Sequence, residues 1–176
     1  MASLTGRTTF KWTLFYIGDT ANTLRSLPID SLSAVGVKYD EVELTAWQDA
    51  VKGRLPAMPD CPIEFGGPFD TSAAVTTATG LSGSHTVLSP LNGSPTPRTI
   101  DIRFGIRAAA EADSPQFGIS RSSTSGYIIT SYEVDMKAGT YKARAVLIPG
   151  SALPAFGTSA ETYNGITYRT YHFQMA

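Results

Sequence analysis

The chain is 176 residues long, carries 14 Lys and Arg against 15 Asp and Glu, and has one cysteine. That length suits a single domain, residues 1–176, able to build a core without disulfides or a structural metal. The charge balance excludes the basic footprint of a protein that wraps nucleic acid, and one cysteine excludes an internal disulfide. No apolar stretch reaches the length of a signal-peptide core or a membrane span. The expectation is a chain made in a cytoplasm, with weak self-repulsion that leaves self-association unopposed.

Residues 9–17 read as a strand, with Phe10, Trp12, Leu14 and Tyr16 on one face and an end that is apolar on both faces. Residues 18–33 look too irregular for a strand or helix, and Pro28 breaks any helix there. They are expected to form a long surface loop or an arm packed on a neighbouring subunit, anchored by Leu24, Leu27, Ile29 and Leu32. Residues 34–44 predict a strand whose apolar phase shifts near Asp40–Glu41, as a bulge would cause.

Thr45 to Arg54 predicts a short helix: Thr45 and Gln48 match a capping box, Trp47, Ala50 and Val51 form a stripe, and Gly53 with Pro56 ends it. Residues 61–66 predict a short strand with Pro62 at an edge position, ended by Gly66-Gly67-Pro68. The 70–96 stretch is rich in Ser, Thr, Gly and Ala, with a helical turn near 82–91 stopped by Pro90.

Three segments after that alternate. In 98–106, Ile100, Ile102 and Phe104 oppose Thr99, Asp101 and Arg103. In 127–136, Ile128, Thr130, Tyr132, Val134 and Met136 oppose Ser131, Glu133 and Asp135. In 140–148, Tyr141, Ala143, Ala145 and Leu147 oppose Lys142 and Arg144, after a hairpin turn at Lys137-Ala138-Gly139. Antiparallel pairing would bring Glu133 and Asp135 near Lys142 and Arg144 on one polar face. Residues 163–176 open on an Asn-Gly turn signal and predict a last strand or C-terminal arm. The fold class is therefore mainly β: two packed antiparallel sheets, as a sandwich or partly open barrel, with one short flanking helix.

Chemistry-bearing patterns are weak. His85 and His172 have no ligand at metal spacing, and no nucleophile elbow accompanies His85, which leaves it as a base without a triad. FGGPFD and GLSGSH miss the phosphate-loop spacing. Cys61 reads as a buried structural thiol. The expectation is no catalytic residue, no metal, no cofactor and no membrane contact. The aromatics, 10% of the chain, are left for packing and contacts between subunits.

Two segments resemble siphophage major tail tube proteins. In Asp40–Asp70 the resemblance runs through Glu43-Leu44, Thr45-Ala46-Trp47-Gln48-Asp49, Leu55-Pro56, Pro62-Ile63-Glu64-Phe65 and Phe69-Asp70. In Gly126–Ser151 it is a Ser-Tyr strand, a turn, then a strand ending in a small residue. The chain departs from that pattern at Gln48, where Gly is common, and in the length of 71–97. Another virion component, a capsid decoration or head–tail connector protein, stays as the alternative, with a ligand-binding β-sandwich module behind it.

The resemblance implies subunits joined edge to edge in rings of six, stacked into a virion tail tube that conducts DNA during ejection. Partners would be the chain itself, the tape measure, terminator and distal tail proteins, and, in passing, genomic DNA. Assembly would take place in the host bacterial cytoplasm. Asp101, Glu133 and Asp135 are the candidate lumen-facing residues, since like charge keeps DNA from sticking, although Arg103, Lys142 and Arg144 would share that face.

Overall fold

A computed structural model describes residues 13–43, 54–75, 81–104, 115–158, 162–163 and 166–167. The fold is mainly β. Two antiparallel sheets face each other, and among the described residues none closes into a barrel. The five-stranded sheet runs β11 (Ala155–Thr158), β8 (Pro115–Ile119), β7 (Ile100–Arg103), β1 (Leu14–Gly18), β2 (Leu24–Leu27). The four-stranded sheet runs β3 (Ser31–Leu32), β6 (Ile63–Pro68), β10 (Thr140–Leu147), β9 (Tyr127–Asp135). Two hairpins stand apart: β4 (Lys38–Glu43) with β5 (Arg54–Asp60), and β12 (Thr162–Tyr163) with β13 (Ile166–Thr167).

The core lies between the sheets. Phe15, Ile17, Leu27, Ile100, Ile102 and Phe117 come from one, and Ile63, Phe65, Ile129, Tyr141, Ala143 and Ala145 from the other. Full burial of each large apolar side chain contributes about 1.5–3 kcal/mol. A helix, α1 (Ser84–Leu88), continues into a 3-10 turn at Ser89–Leu91 and drives Val87, Leu88 and Leu91 into one end of that core. This is the turn expected near 82–91. The helix expected at 45–54 falls outside the described residues except for Arg54, which opens β5. Leu55-Pro56 is therefore inside a strand and is not a break.

Residues 18–33 correct the expectation of an irregular segment. They form β2, paired with β1, and β3, paired with β6. Their turn is built locally: Asp19 Oδ1 accepts from the amides of Ala21 and Thr23, and Asn22 takes φ 60. Below it, Asp30 N donates to Gly66 O and Ser33 N to Glu64 O.

Gly66-Gly67-Pro68 was expected to end the strand before it but belongs to β6, which lies between β3 and β10 and not at an edge. A Cβ at Gly67 would run into the Pro28 carbonyl, so glycine there lets the β2–β3 link lie flat on β6.

β9 also corrects its expected pattern. Its register against β10 slips between Arg144 and Ala145, so Thr130 is the extra residue of a bulge. Tyr127 and Ile129 therefore point inward before the bulge and Tyr132 and Val134 after it, while Ile128 and Thr130 leave the apolar face on which they were expected. The shift expected near Asp40–Glu41 is present in β4, where the register slips between Tyr39 and Glu41.

Candidate assembly surfaces

Three surfaces of the described residues are candidates for contact with other molecules: the polar face of the four-stranded sheet, the outer edge of β9, and the β4–β5 hairpin.

The polar face follows from strand alternation. Lys142 lies opposite Glu133 on β9, and Arg144 lies opposite Ser131 on β9 and Glu64 on β6. Arg144 Nε approaches Glu64 Oε1 at 3.9 Å with both side chains exposed, a pair worth about 0.2–1 kcal/mol. These side chains, with Ser31, line an open depression of ≈ 420 Å³. Charge here runs in stripes, basic on β10 between acidic β6 and β9, as expected from the β9–β10 pairing.

The three candidate lumen residues do not share a face. Glu133 and Asp135 are exposed on β9, whereas Asp101 is on β7 in the other sheet and only 4% exposed. Asp101 Oδ2 accepts from Arg103 Nε at 2.8 Å and Nη2 at 2.6 Å. The Arg103 guanidinium sits 4.6 Å over the Tyr16 ring, and Tyr16 is the cross-strand partner of Asp101. What reads in the sequence as a solvated polar face of β7 is a buried ion pair under an aromatic ring. Asp135 has a local task as well: its Oδ1 accepts from the amides of Lys137 and Ala138 and closes the β9–β10 turn, where Gly139 takes φ 66.

The four arm anchors separate in the same way. Leu27 is 2% exposed and belongs to this chain's own core; Ile29 and Leu32 pack partly against it; Leu24, at 38%, is the one left open. Tyr141 Oη donates to Pro28 O at 3.0 Å and fastens the middle of the segment to β10. Burial raises the Tyr141 pKa, so it stays a donor at neutral pH.

β9 is the last strand of its sheet. Arg98 pairs with Tyr127 and Asn92 with Ile129, which covers its first half. Among the described residues, no strand pairs with the outer edge of Thr130–Asp135. The opposite border, β3, is two residues long. The β4–β5 hairpin exposes large apolar side chains along its length: Tyr39, Val42, Leu55 and Met58, the last at 85%. The sequence predicts β4 and its bulge but not its partner, because 54–60 reads as the end of a helix and a break. The signal for β5 is the run of apolar residues between Arg54 and Asp60, hidden by Pro56 and Pro59.

His85 is packed between rings, 5.2 Å from Phe69 and 5.8 Å from Tyr132, and its Nδ1 lies 3.2 Å from Tyr132 Oη. His172 lies outside the described residues. Among those described, no group of three His, Cys, Asp or Glu is placed to hold a metal ion, and no helix is long and apolar enough to cross a membrane.

No protein-family model matches the chain, and no curated protein matches it in sequence. Solved structures do. A chain of the PVC sheath–tube complex, an extracellular contractile injection system in its extended state, superposes with TM-score 0.57 at 12% identity, over 89% of this chain and 95% of that one. The chain shares its fold with that one. A chain of the PVC sheath/tube terminator gives TM-score 0.57 at 12% identity, over 89% of this chain and 100% of that one. The tube-terminating cap of the anti-feeding prophage gives 0.58 at 11%, over 90% and 96%. The shared fold covers 89–90% of this chain, and the match is in shape, not in sequence.

Proposed function

We propose that the chain is a structural subunit of a tail tube, which self-assembles into rings, six copies in each, that stack around a lumen. The observation that carries this is the Thr130–Asp135 edge, which no strand among the described residues pairs, in a chain that shares its fold with chains of tube complexes and tube terminators. An open edge is a template for a further strand, and closing a ring of copies satisfies every such edge at once. The resemblance in Gly126–Ser151, whose strand–turn–strand order β9 and β10 follow, points to a siphophage tail, where the tube is a conduit for DNA during ejection. The partners are then other copies, the tape measure, terminator and distal tail proteins, and DNA in transit. Assembly takes place in the host cytoplasm, and the role is structural, not catalytic.

In this reading the lumen wall is the polar face carrying Glu133 and Asp135. Lys142 and Arg144 beside them leave that wall close to neutral, which suits passage without adhesion.

A second reading has its own support: two of the structural matches are tube terminators, which makes a single terminal ring the alternative to a stack. Negative-stain microscopy of the concentrated protein separates the two. Stacked rings or hollow tubes support the tube subunit, isolated rings support the terminator, and monomer at every concentration overturns both.

A further inference from the structure

The β4–β5 hairpin leaves the body through a narrow neck. Gly36 stands just before β4, and Cys61 directly follows β5. The Cys61 thiol donates to Gly36 O at 3.1 Å, and the Tyr127 hydroxyl donates to Cys61 Sγ at 3.1 Å. Gly36 takes φ +149, a conformation that other residues reach only with strain. Cys61 N also donates to Asp60 Oδ1 at 2.8 Å, and Asp60 is the partner of Lys38 in the first rung of the hairpin.

Tyr127 is held in turn. Its backbone exchanges hydrogen bonds with Arg98, at 2.7 and 2.9 Å, and Arg98 Nη1 reaches the carbonyls of Asp19 and Thr20. Tyr127 is fully buried and Cys61 is 1% exposed. Both groups are protonated at neutral pH at their ordinary values, and burial moves them further in that direction. Past the neck the hairpin strands are mostly exposed, and a lone two-stranded hairpin is marginal in water. Its direction is therefore decided where it joins the body.

We infer that the Tyr127–Cys61–Gly36 hydrogen-bond chain is a clamp that fixes the direction in which the apolar β4–β5 hairpin projects. Tyr127 is its positioning residue: the ring fills the core, and the hydroxyl holds the neck. That the hairpin then serves assembly rests on the tube-subunit reading; the clamp itself does not.

The test is hydrogen–deuterium exchange on the dilute full-length chain with Tyr127→Phe, which keeps the ring and removes only the hydroxyl. Exchange in 38–43 and 54–60 should rise roughly fivefold, the weight of one net hydrogen bond, with β7 and β10 unchanged. Cys61→Ala should do the same and stands in if Tyr127→Phe does not fold. Cys61→Ser, which keeps a donor and an acceptor, should recover much of the protection. Unchanged hairpin exchange in Tyr127→Phe and Cys61→Ala, or an equal rise through β7 and β10, overturns the clamp. Failure of the wild-type chain to assemble would remove the tube reading and leave this exchange result standing.

Discussion

The rings of Phe15 and Phe65 lie 4.3 Å apart, one from each sheet, and both are buried. Phe15 is paired with Leu27 and Ile102 in its own sheet, and Phe65 with Leu32 and Ala143 in the other. This contact joins inner strands of the two layers, β1 and β6. Phe15→Ala should cost about 3–5 kcal/mol, from lost transfer energy and the cavity left behind. Chemical denaturation with an unchanged m-value checks it.

Arg103 and Asp101 are both nearly buried, so removing Arg103 takes from Asp101 Oδ2 the guanidinium that it accepts from. Arg103→Met should destabilise by about 3–5 kcal/mol, while Arg103→Met with Asp101→Leu should recover a large part of that loss. Thermal unfolding of the single and double variants measures the difference. A single variant as stable as wild type would contradict a buried pair.

Burial alone would raise the Asp19 carboxyl, but the Arg25 side chain and the amides of Thr23 and Ala21 outweigh it and hold the pKa below the usual carboxylate range. A lowered folded pKa gives stability that is fully present above the unfolded value, near 3.9, and lost as pH falls through the folded one. Asp19→Asn should therefore be about 1 kcal/mol less stable than wild type at pH 7. That gap should narrow as pH falls below the unfolded carboxylate value and through the lowered folded one. Urea titrations at several pH values give the comparison.

Leu24 and Leu27 end the same short strand with opposite environments. Leu27→Ala should cost about 2–5 kcal/mol and Leu24→Ala under about 1 kcal/mol. Should Leu24→Ala weaken assembly of a chain that stays folded, the open end of β2 is a contact between copies; sedimentation velocity reads this directly.

The sheet class and most of β10 were legible because Tyr141, Ala143 and Ala145 alternate cleanly with Lys142 and Arg144. β9 was legible as a strand but not in its facing, since a one-residue bulge at Thr130 leaves no mark on a β-branched sequence. β2 and β3 were hidden by their brevity, four and two residues around Pro28; their pairing depends on the neighbouring strands and not on their own propensity. β8 and β11 escaped for a similar reason, as their glycines dilute the pattern. The burial of Asp101 and Arg103 was illegible, because a polar residue facing an ion partner is written like one facing water. The candidate contact surfaces were the least visible part: an edge left open among the described residues is a property of the sheet order, which no local pattern states.

The central claim is that other copies of this chain complete the Thr130–Asp135 edge. Hydrogen–deuterium exchange across a concentration series tests it most directly. Amides of 130–135 that point away from β10 should exchange quickly in dilute protein and become protected as assemblies form, with β7 unchanged throughout. Exchange in 130–135 that stays the same at every concentration, in samples shown to be assembled, would contradict it.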